Sequence, residues 1–284
     1  MKKQKYAVVG YPLSHTMSPF IHSKLFELSG ISADYNILEI SPQELSHRFT
    51  EIEQLNGANI TIPHKSAVIP FLTKLDERAA LYGAVNTIAK QDGDLVGYNT
   101  DCHGFLRALN GAGIPLQGHA VVCGCGGVAR MIAFECIMAG CSLTLAVRET
   151  DLSTAQAVQK EIADKFPQAE IKTTLLSDIC GDIDLLINGT PVGMYPYSNA
   201  MPVSENILHR TKAVFDVIYN PAETLLLKTA RSCGAKTAGG MPMLVWQAAV
   251  AQEIWNNVSF TGEDIDKIIR MTYEKMAEQF ERQE

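Results

Sequence analysis

Six strand-like apolar segments alternate with helical stretches through the middle of this 284-residue chain. The segments are Ala120–Cys123, Ser142–Val147, Ile171–Leu176, Ile183–Ile187, Ala213–Val217 and Lys236–Ala238. Apolar strands that alternate with helices are typical of a parallel sheet covered by helices on both faces. Six of them predict an α/β domain with a doubly wound, Rossmann-type sheet, which we assign to residues 102–239.

A glycine-rich turn follows the first of these strands. The sequence there reads Val121-Val122-Cys123-Gly124-Cys125-Gly126-Gly127-Val128-Ala129-Arg130. Gly124 permits a tight turn, Gly126 lets the backbone approach a pyrophosphate, and Ala129 leaves room for the helix to pack on the strand. Backbone N–H groups at the helix start, around Gly127 and Val128, attract phosphates. The turn therefore predicts a dinucleotide site, and the alternative is a tight turn that binds no ligand.

The end of the second strand bears on the choice of dinucleotide. An enzyme that selects NAD usually places a carboxylate there to bind the ribose 2′-hydroxyl. Here Val147 holds that position and Arg148 follows it, and a guanidinium suits the 2′-phosphate of NADP. Glu149 is adjacent and would repel a phosphate. NADP is therefore the favoured cofactor, and NAD remains the alternative.

Polar side chains stand at a helix start and at a strand end in the N-terminal third. Ser18-Pro19 predicts a helix with Ser18 as its N-cap, and the hydroxyls of Thr16 and Ser18 there suit a carboxylate. Asn59 and Thr61 lie on one face of a buried strand predicted over Gly57–Ile62. Ligand groups usually lie at such element ends, whereas capping alone would also explain Ser18.

Two charged residues in this region are candidates for proton transfer. Lys65 follows the predicted strand, just past Pro63, where a lysine can move protons. Asp101 stands at a predicted helix N-cap, where the two halves of the chain meet. The alternatives are a solvated surface lysine and a plain helix cap.

Eight motifs in order, spread over almost the whole chain, resemble the shikimate dehydrogenase family. They are Gly10-Tyr11-Pro12 with His15-Thr16-Met17-Ser18-Pro19, Asn59-Ile60-Thr61-Ile62-Pro63-His64-Lys65, Gly83-Ala84-Val85-Asn86-Thr87, Gly97-Tyr98-Asn99-Thr100-Asp101, Gly124-Cys125-Gly126-Gly127, Asn188-Gly189-Thr190-Pro191-Val192-Gly193-Met194-Tyr195-Pro196, Asp216-Val217-Ile218-Tyr219-Asn220-Pro221 and Gly239-Gly240-Met241-Pro242-Met243-Leu244-Val245-Trp246-Gln247-Ala248. Any one motif would be weak, but eight in order are highly specific.

The resemblance implies an NADP-dependent oxidoreductase that acts on a CH–OH group. Its reaction would be the reversible reduction of 3-dehydroshikimate to shikimate, in chorismate and aromatic amino-acid biosynthesis. Lys65 and Asp101 would form the catalytic pair. The substrate-binding residues would be Thr16, Ser18, Asn59, Thr61, Asn86, Tyr219 and Gln247. The cofactor-binding residues would be Gly124, Gly126, Gly127, Val128, Ala129, Arg148, Thr190, Met194 and Gly240.

The resemblance also implies a discontinuous substrate domain, because Gln247 follows the nucleotide-binding segment. Residues 1–101 and 240–284 would together form an α/β substrate-binding and catalytic domain. Thr16 stands where the family usually has serine, and its methyl group could shift the balance between shikimate and quinate. The usual Asn-Arg-Thr after the second strand reads Val147-Arg148-Glu149, and Leu152 stands where a second arginine is expected.

These departures leave two alternatives open. The first is a quinate/shikimate dehydrogenase of broader specificity that uses NAD or NADP. The second is a dinucleotide-binding regulatory protein without activity, which would be expected to lack Lys65 or Asp101.

Composition and charge exclude other classes of protein. Hydrophobic residues make up 46% of the chain and charged residues 19%, which excludes intrinsic disorder. The net charge of −7, with no basic run, argues against nucleic-acid binding. The apolar stretch 131–147 contains Glu135 and Gly140, so we expect a buried helix, a turn and a buried strand there instead of a membrane span.

The cysteine pattern and the N-terminal segment bear on the compartment. The seven cysteines form no recognisable disulfide framework, and the apolar run after the first lysines is too short for a signal peptide. We therefore expect a cytoplasmic protein with a small-molecule substrate. We expect no metal site, because the histidines are scattered, and a monomeric or homodimeric state.

Overall fold

The computed structural model of the protein describes residues 3–13 and 16–281. The chain folds into two compact units, Met1–Gly104 with Val245–Glu284 and Phe105–Leu244. Ser14 and His15, which belong to the first of the eight motifs, lie outside the described residues.

The first unit contains a mixed six-stranded sheet with the strand order β2-β1-β3-β5-β6-β4. The β1–β2, β1–β3 and β4–β6 pairs are parallel, and the β3–β5 and β5–β6 pairs are antiparallel. Its elements are β1 (Gln4–Gly10), α1 (Ser18–Ser29), β2 (Ala33–Glu39), α2 (Leu45–Glu53), β3 (Gly57–Ile60), β4 (Lys74–Leu75), α3 (Glu77–Tyr82), β5 (Thr87–Gln91), β6 (Asp94–Tyr98), the first turn of α4 (Thr100–Gly111), and, after the second unit, most of α9 (Gly240–Asn256) and all of α10 (Gly262–Glu281).

Two helix starts differ from the sequence prediction. Met17, not Ser18, is the N-cap of α1, and Ser18 is the first helical residue, because Pro19 is accommodated within the first turn. Asp101 is likewise not an N-cap, since α4 begins at Thr100 and Asp101 lies inside its first turn. Ser18 is therefore not the cap of α1, and the Asp101 carboxylate accepts side-chain hydrogen bonds from Lys65 and Asn86.

The second unit contains an all-parallel six-stranded sheet with the strand order β12-β11-β10-β7-β8-β9. Its elements are β7 (His119–Cys123), α5 (Gly127–Met138), β8 (Ser142–Val147), α6 (Leu152–Lys165), β9 (Ile171–Leu175), β10 (Ile183–Asn188), α7 (Glu205–Leu208), β11 (Thr211–Asp216), α8 (Leu225–Ser232) and β12 (Lys236–Ala238). This order is that of a doubly wound dinucleotide-binding sheet, so the predicted fold class is confirmed. The order reverses between β7 and β10, and ligands of such sheets bind at the carboxyl ends of the strands at this point.

The long apolar stretch within this unit forms α5, a turn through Gly140 and β8, as the sequence predicts. Both elements are almost wholly buried, which explains their apolar composition. Over residues 3–13 and 16–281, no helix has the length and apolar character needed to cross a membrane.

Candidate active site

Lys65 and Asp101 form an ion pair in the first unit. Lys65 Nζ donates a hydrogen bond to Asp101 Oδ2 at 2.5 Å, and the side chains are 27% and 15% exposed. Lys65 follows β3, and its carbonyl oxygen accepts a hydrogen bond from Val85 N at 2.7 Å. Asp101 is fixed in the first turn of α4. Because both partners are anchored, the ammonium group can be presented to a bound ligand in one position.

Asn86 connects this ion pair to a group of buried polar side chains. Its Nδ2 donates to Asp101 Oδ1 at 2.9 Å and to Gln247 Oε1 at 3.5 Å. Its Oδ1 accepts a hydrogen bond from Thr100 N at 2.6 Å. Asn86 is 3% exposed and Gln247 is 9% exposed. The structure thus brings Lys65, Asp101, Asn86 and Gln247 into one cluster, although Gln247 is 161 residues from Asn86 in sequence.

Asn59 extends the cluster across the sheet. The strand register places Asn59 of β3 opposite Thr87 of β5, and Asn59 Nδ2 donates to Thr87 Oγ1 at 3.1 Å. Asn59 Oδ1 accepts a hydrogen bond from the Tyr35 hydroxyl of β2 at 2.7 Å. Burial raises the pKa of Tyr35, so its hydroxyl remains a donor at neutral pH. Sequence reasoning missed the roles of Thr87 and Tyr35, because only the strand register brings them to Asn59.

Thr16 and Ser18 place two hydroxyl groups at the start of α1. Thr16 Oγ1 lies 3.1 Å from Ser18 Oγ and accepts a hydrogen bond from Ser18 N at 3.2 Å. Thr61 lies just beyond the end of β3. A Cβ added to Gly10 would come within 2.5 Å of Thr61 Cγ2. Gly10 is therefore required for the close approach of Thr61. Hydroxyls at a helix start suit a carboxylate ligand.

The glycine turn of the second unit has room for a ligand beside its backbone. Gly124 has φ +98°, a left-handed conformation that favours glycine, and Gly126 is the N-cap of α5. A Cβ built on Gly126 or Gly127 would meet no atom within 4 Å. The first N–H groups of α5, including that of Val128, have no carbonyl partner within the helix. Open space beside backbone donors fits the pyrophosphate of a dinucleotide.

Ala129 packs α5 closely against the end of β10. It is fully buried, and a Cβ added to Gly189 would lie 2.7 Å from the Ala129 Cβ. Gly189 N donates a hydrogen bond to Cys123 O at 2.9 Å, which joins the ends of β10 and β7. Small residues at positions 129 and 189 therefore let the helix and two strands converge where the strand order reverses.

Arg148 follows β8 and is 72% exposed. Its Nη2 lies 2.8 Å from Asp151 Oδ2, and its Nε donates to the same oxygen at 2.9 Å. Glu149 is next to it in the chain, so two carboxylates oppose a 2′-phosphate and one guanidinium favours it. Arg148 is the one of these three groups whose charge favours NADP over NAD, so its role in cofactor choice stays a prediction.

The other predicted site residues of the second unit follow β10 and β11 or begin α9. Thr190 Oγ1 donates to Asn188 Oδ1 at 2.6 Å, and Met194 is 46% exposed in the same loop. Burial raises the pKa of Tyr219, which follows β11. Gly240 N donates to Ile218 O at 3.0 Å. The role of Tyr219 towards the substrate stays a prediction, since Tyr219 belongs to the second unit and the other substrate residues to the first.

Asp216, which sequence reasoning left without a role, organises the loop that carries Thr190. It is fully buried at the end of β11. Its Oδ1 accepts hydrogen bonds from Asn188 Nδ2 at 3.0 Å and Ile218 N at 3.1 Å, and its Oδ2 accepts one from Thr224 Oγ1 at 2.7 Å. Asn188 Oδ1 in turn accepts hydrogen bonds from Thr190 N and Oγ1. The sequence signal that could have indicated this role is a charged residue at the end of an apolar strand.

Asp216→Asn is expected to change how stability depends on pH. Burial raises the pKa of Asp216 from 3.8 to about 6, against the opposing effect of its hydrogen bonds. A carboxyl with a raised pKa in the folded state stabilises that state below its unfolded pKa and loses this contribution as pH rises through 6. The difference between the folded and unfolded pKa values corresponds to about 3 kcal/mol of stability. Between pH 3 and pH 8 the free energy of unfolding of the variant should therefore gain about 3 kcal/mol relative to wild type.

Urea unfolding at several pH values measures this difference, and Asp184→Asn is the matched control. The hydrogen bond from Lys212 lowers the pKa of Asp184, so removing that carboxylate should change the pH dependence in the opposite direction. Equal pH dependence in Asp216→Asn and wild type would contradict the assignment.

Comparison with known proteins agrees with this arrangement. The family model described as the shikimate dehydrogenase substrate binding domain matches residues 8–88. A protein named shikimate dehydrogenase (NADP+) from Caldanaerobacter subterraneus subsp. tengcongensis is 36% identical over 282 residues, covering 95% of this chain and 95% of that protein.

Two crystal structures give similar results. Shikimate 5-dehydrogenase from Thermus thermophilus, in complex with NADP(H) and shikimate, matches with a TM-score of 0.84 and 31% identity, covering 95% of this chain and 99% of that chain. Shikimate 5-dehydrogenase from Listeria monocytogenes, in complex with shikimate and NAD, matches with a TM-score of 0.86 and 29% identity, covering 95% and 96%. Since sequence identity and fold both extend over nearly the full chain, the protein belongs to the shikimate dehydrogenase family.

Proposed function

We propose that the protein catalyses the reversible reduction of 3-dehydroshikimate to shikimate, with NADPH as the reductant. The observation that carries this proposal is the Lys65–Asp101 ion pair at 2.5 Å, with Asn86 bonded to the second oxygen of the carboxylate. A proton donor of this kind is what reduction of a ketone requires beside the hydride. The glycine turn and the exposed Arg148 supply a place for the dinucleotide.

The side chains of the first unit divide the chemistry between them. NADPH, when bound, supplies the hydride. Lys65 gives a proton to the ketone oxygen during reduction and takes it back from the hydroxyl during oxidation. Asp101 accepts the hydrogen bond of Lys65 and so directs the ammonium group, while Asn86 fixes the plane of the carboxylate. A positioned acid of this kind contributes about 10²–10⁴-fold to the rate.

The remaining polar groups of the first unit are assigned to substrate recognition. Thr16 and Ser18 bind the carboxylate through their hydroxyls at the start of α1. Asn59, Thr61 and Gln247 bind ring hydroxyls beside Asn86. A site built from buried amides and hydroxyls discriminates strongly, because a ligand that lacks a hydroxyl leaves such groups unpaired.

Oxidation of shikimate and of quinate, each at saturating NADP+ or NAD+, tests the proposal. We expect the highest kcat/KM with shikimate and NADP+. Equal or greater kcat/KM with quinate would favour the quinate/shikimate dehydrogenase. The methyl group of Thr16, in the predicted carboxylate site, would then be the first candidate for the cause. Dinucleotide binding without turnover of either acid would favour the regulatory protein.

Arg148→Ala is expected to remove the preference for NADP. A hydrogen bond to a charged group contributes about 1.5–3 kcal/mol, so KM for NADP+ should rise by about 10–100-fold. KM for NAD+ should change little, because NAD lacks the 2′-phosphate. Steady-state kinetics with both cofactors measures this, and Arg231→Ala, which removes another exposed arginine of the same unit, is the control. A parallel rise of KM for both cofactors would contradict the role of Arg148.

We also propose a cytoplasmic enzyme that works as a monomer or a homodimer. All seven cysteines carry free thiols, which suits a reducing compartment.

A further inference from the structure

Three side chains with different donor atoms converge on the surface of the second unit. Glu205 lies in α7, His209 directly follows that helix, and Cys233 directly follows α8. His209 Nε2 is 3.9 Å from Glu205 Oε1 and 4.0 Å from Cys233 Sγ. The carboxylate, imidazole and thiol donor atoms all lie within 4.8 Å of one another. Such a set of donors at such separations is a candidate metal site.

This cluster is separate from the predicted cofactor site. His209 comes just before β11, and Cys233 comes just before β12. The cluster therefore lies at the amino-terminal edge of the parallel sheet. The glycine turn, Arg148 and Thr190 follow the carboxyl ends of their strands, at the opposite edge. Metal binding here would not touch the residues assigned to the reaction.

The backbone beneath the three donors is held by the hydrophobic core. Ile207 and Leu208 of α7 are 5% and 0% exposed and pack with Ala230 of α8, and Cys233 packs against the same cluster. His209 N donates to Glu205 O at 3.1 Å, which fixes these two residues one helical turn apart. The side chains of Glu205 and His209 are 61% and 62% exposed, so their ends can move while their backbones stay fixed.

The donor chemistry selects among metal ions. Zinc–ligand bonds of about 2.0–2.3 Å at tetrahedral angles put donor atoms about 3.4–3.6 Å apart. The two separations from His209 Nε2 exceed these by about half an ångström, and the Glu205–Cys233 separation lies within 4.8 Å. Rotations of the exposed Glu205 and His209 side chains can bring the three donor atoms closer together. Thiolate and imidazole favour zinc over magnesium or calcium, which prefer oxygen ligands.

We propose that Glu205, His209 and Cys233 form a zinc-binding site with water as the fourth ligand. The thiol of Cys233 loses its proton to solvent as its sulfur binds the metal. The thiolate and the carboxylate together carry two negative charges, which the divalent ion neutralises. The ion links α7 to α8 and stabilises the second unit by binding its folded form.

Titration of the full-length protein with Co²⁺, after removal of metals with a chelator, tests the proposal directly. Cobalt bound to a thiolate gives a near-ultraviolet charge-transfer band, and tetrahedral cobalt gives intense visible bands. We expect both bands at one equivalent of Co²⁺ and their loss when Zn²⁺ is added. Cys233→Ser should abolish the charge-transfer band, whereas Cys180→Ser, which changes an exposed cysteine of the same unit, should leave it intact.

Zinc affinity, stability and activity complete the test. Calorimetric titration should show that His209→Ala and Glu205→Gln each weaken zinc binding by at least about 10–100-fold. That is the usual cost of losing a residue that only supports a metal ligand, so the loss of a ligand should cost as much or more. One equivalent of Zn²⁺ should raise the thermal midpoint of wild type but not of Cys233→Ser. The kcat of the dehydrogenase reaction should be the same in both. Absence of the charge-transfer band in wild type, or its persistence in Cys233→Ser, would overturn the site.

Discussion

Replacing Lys65 with alanine is expected to lower kcat by about 10²–10⁴-fold, the contribution of a positioned general acid. The variant loses the ammonium group that Asp101 holds at 2.5 Å, so nothing at that position can protonate the ketone oxygen. The cofactor-binding residues belong to the other unit, so the dissociation constant for NADPH should stay close to that of wild type. Steady-state rates in both directions and a fluorescence titration with NADPH measure the two quantities separately.

The first unit offers a matched control for this variant. Lys74 forms a second lysine–aspartate ion pair, with Asp94, and its side chain is 65% exposed. Lys74→Ala removes an equivalent charge and an equivalent pair, yet it should leave kcat unchanged. Turnover of Lys65→Ala at the wild-type rate, or an equal loss in Lys74→Ala, would refute the catalytic role.

Much of the fold was predictable because its signals are local. The strand predicted over Ser142–Val147 and the short strand Lys236–Ala238 have the same bounds in the structure. Asp92 and Gly93, which join β5 to β6, both adopt positive φ, the conformation that an Asp-Gly hairpin turn requires. Turn chemistry and apolar runs act over a few residues, so the sequence alone can express them.

The strand predicted over Gly57–Ile62 shows where local signals fail. The structure ends β3 at Ile60, and Ile62 is 73% exposed instead of buried. An apolar run does not reveal where a strand leaves its neighbours. The two-residue β4 gave no signal at all, because it depends on parallel pairing with β6.

The residues of the candidate site likewise divide into those that local sequence signals indicate and those that only long-range contacts bring together. Lys65, Asp101 and the glycine turn stand at element ends, where sequence reasoning looks for ligand groups. Tyr35 and Asp216 instead support the site through contacts over 24 and 28 residues, to Asn59 and Asn188. The cluster that we propose as a zinc site also depends on a contact of this kind, since Cys233 is 24 residues from His209. Contacts of this kind follow from topology, which no local pattern contains.

Gly240→Ala is expected to lower the free energy of unfolding by more than about 3 kcal/mol, beyond the usual cost of overpacking. A Cβ at this position would lie 2.1 Å from Val217 O and 2.5 Å from Val217 C. Both are backbone atoms, so no side-chain rotation relieves the overlap. Gly240 N also donates to Ile218 O, so the backbone after β11 must shift with α9. NADPH binding should weaken as well, because Gly240 is one of the predicted cofactor-binding residues.

Urea unfolding and NADPH titration of Gly240→Ala and Gly111→Ala decide whether the clash is the cause. Gly111 ends α4 in the same unit, has no positive φ, and an added Cβ there meets no atom within 4 Å. Since alanine favours a helix over glycine by up to about 1 kcal/mol, Gly111→Ala should be neutral or slightly stabilising. Ordinary surface substitutions change the free energy of unfolding by no more than about 0.5 kcal/mol. If the free energy of unfolding of Gly240→Ala lies within that range of wild type, then the close backbone contact between positions 240 and 217 does not stabilise the second unit.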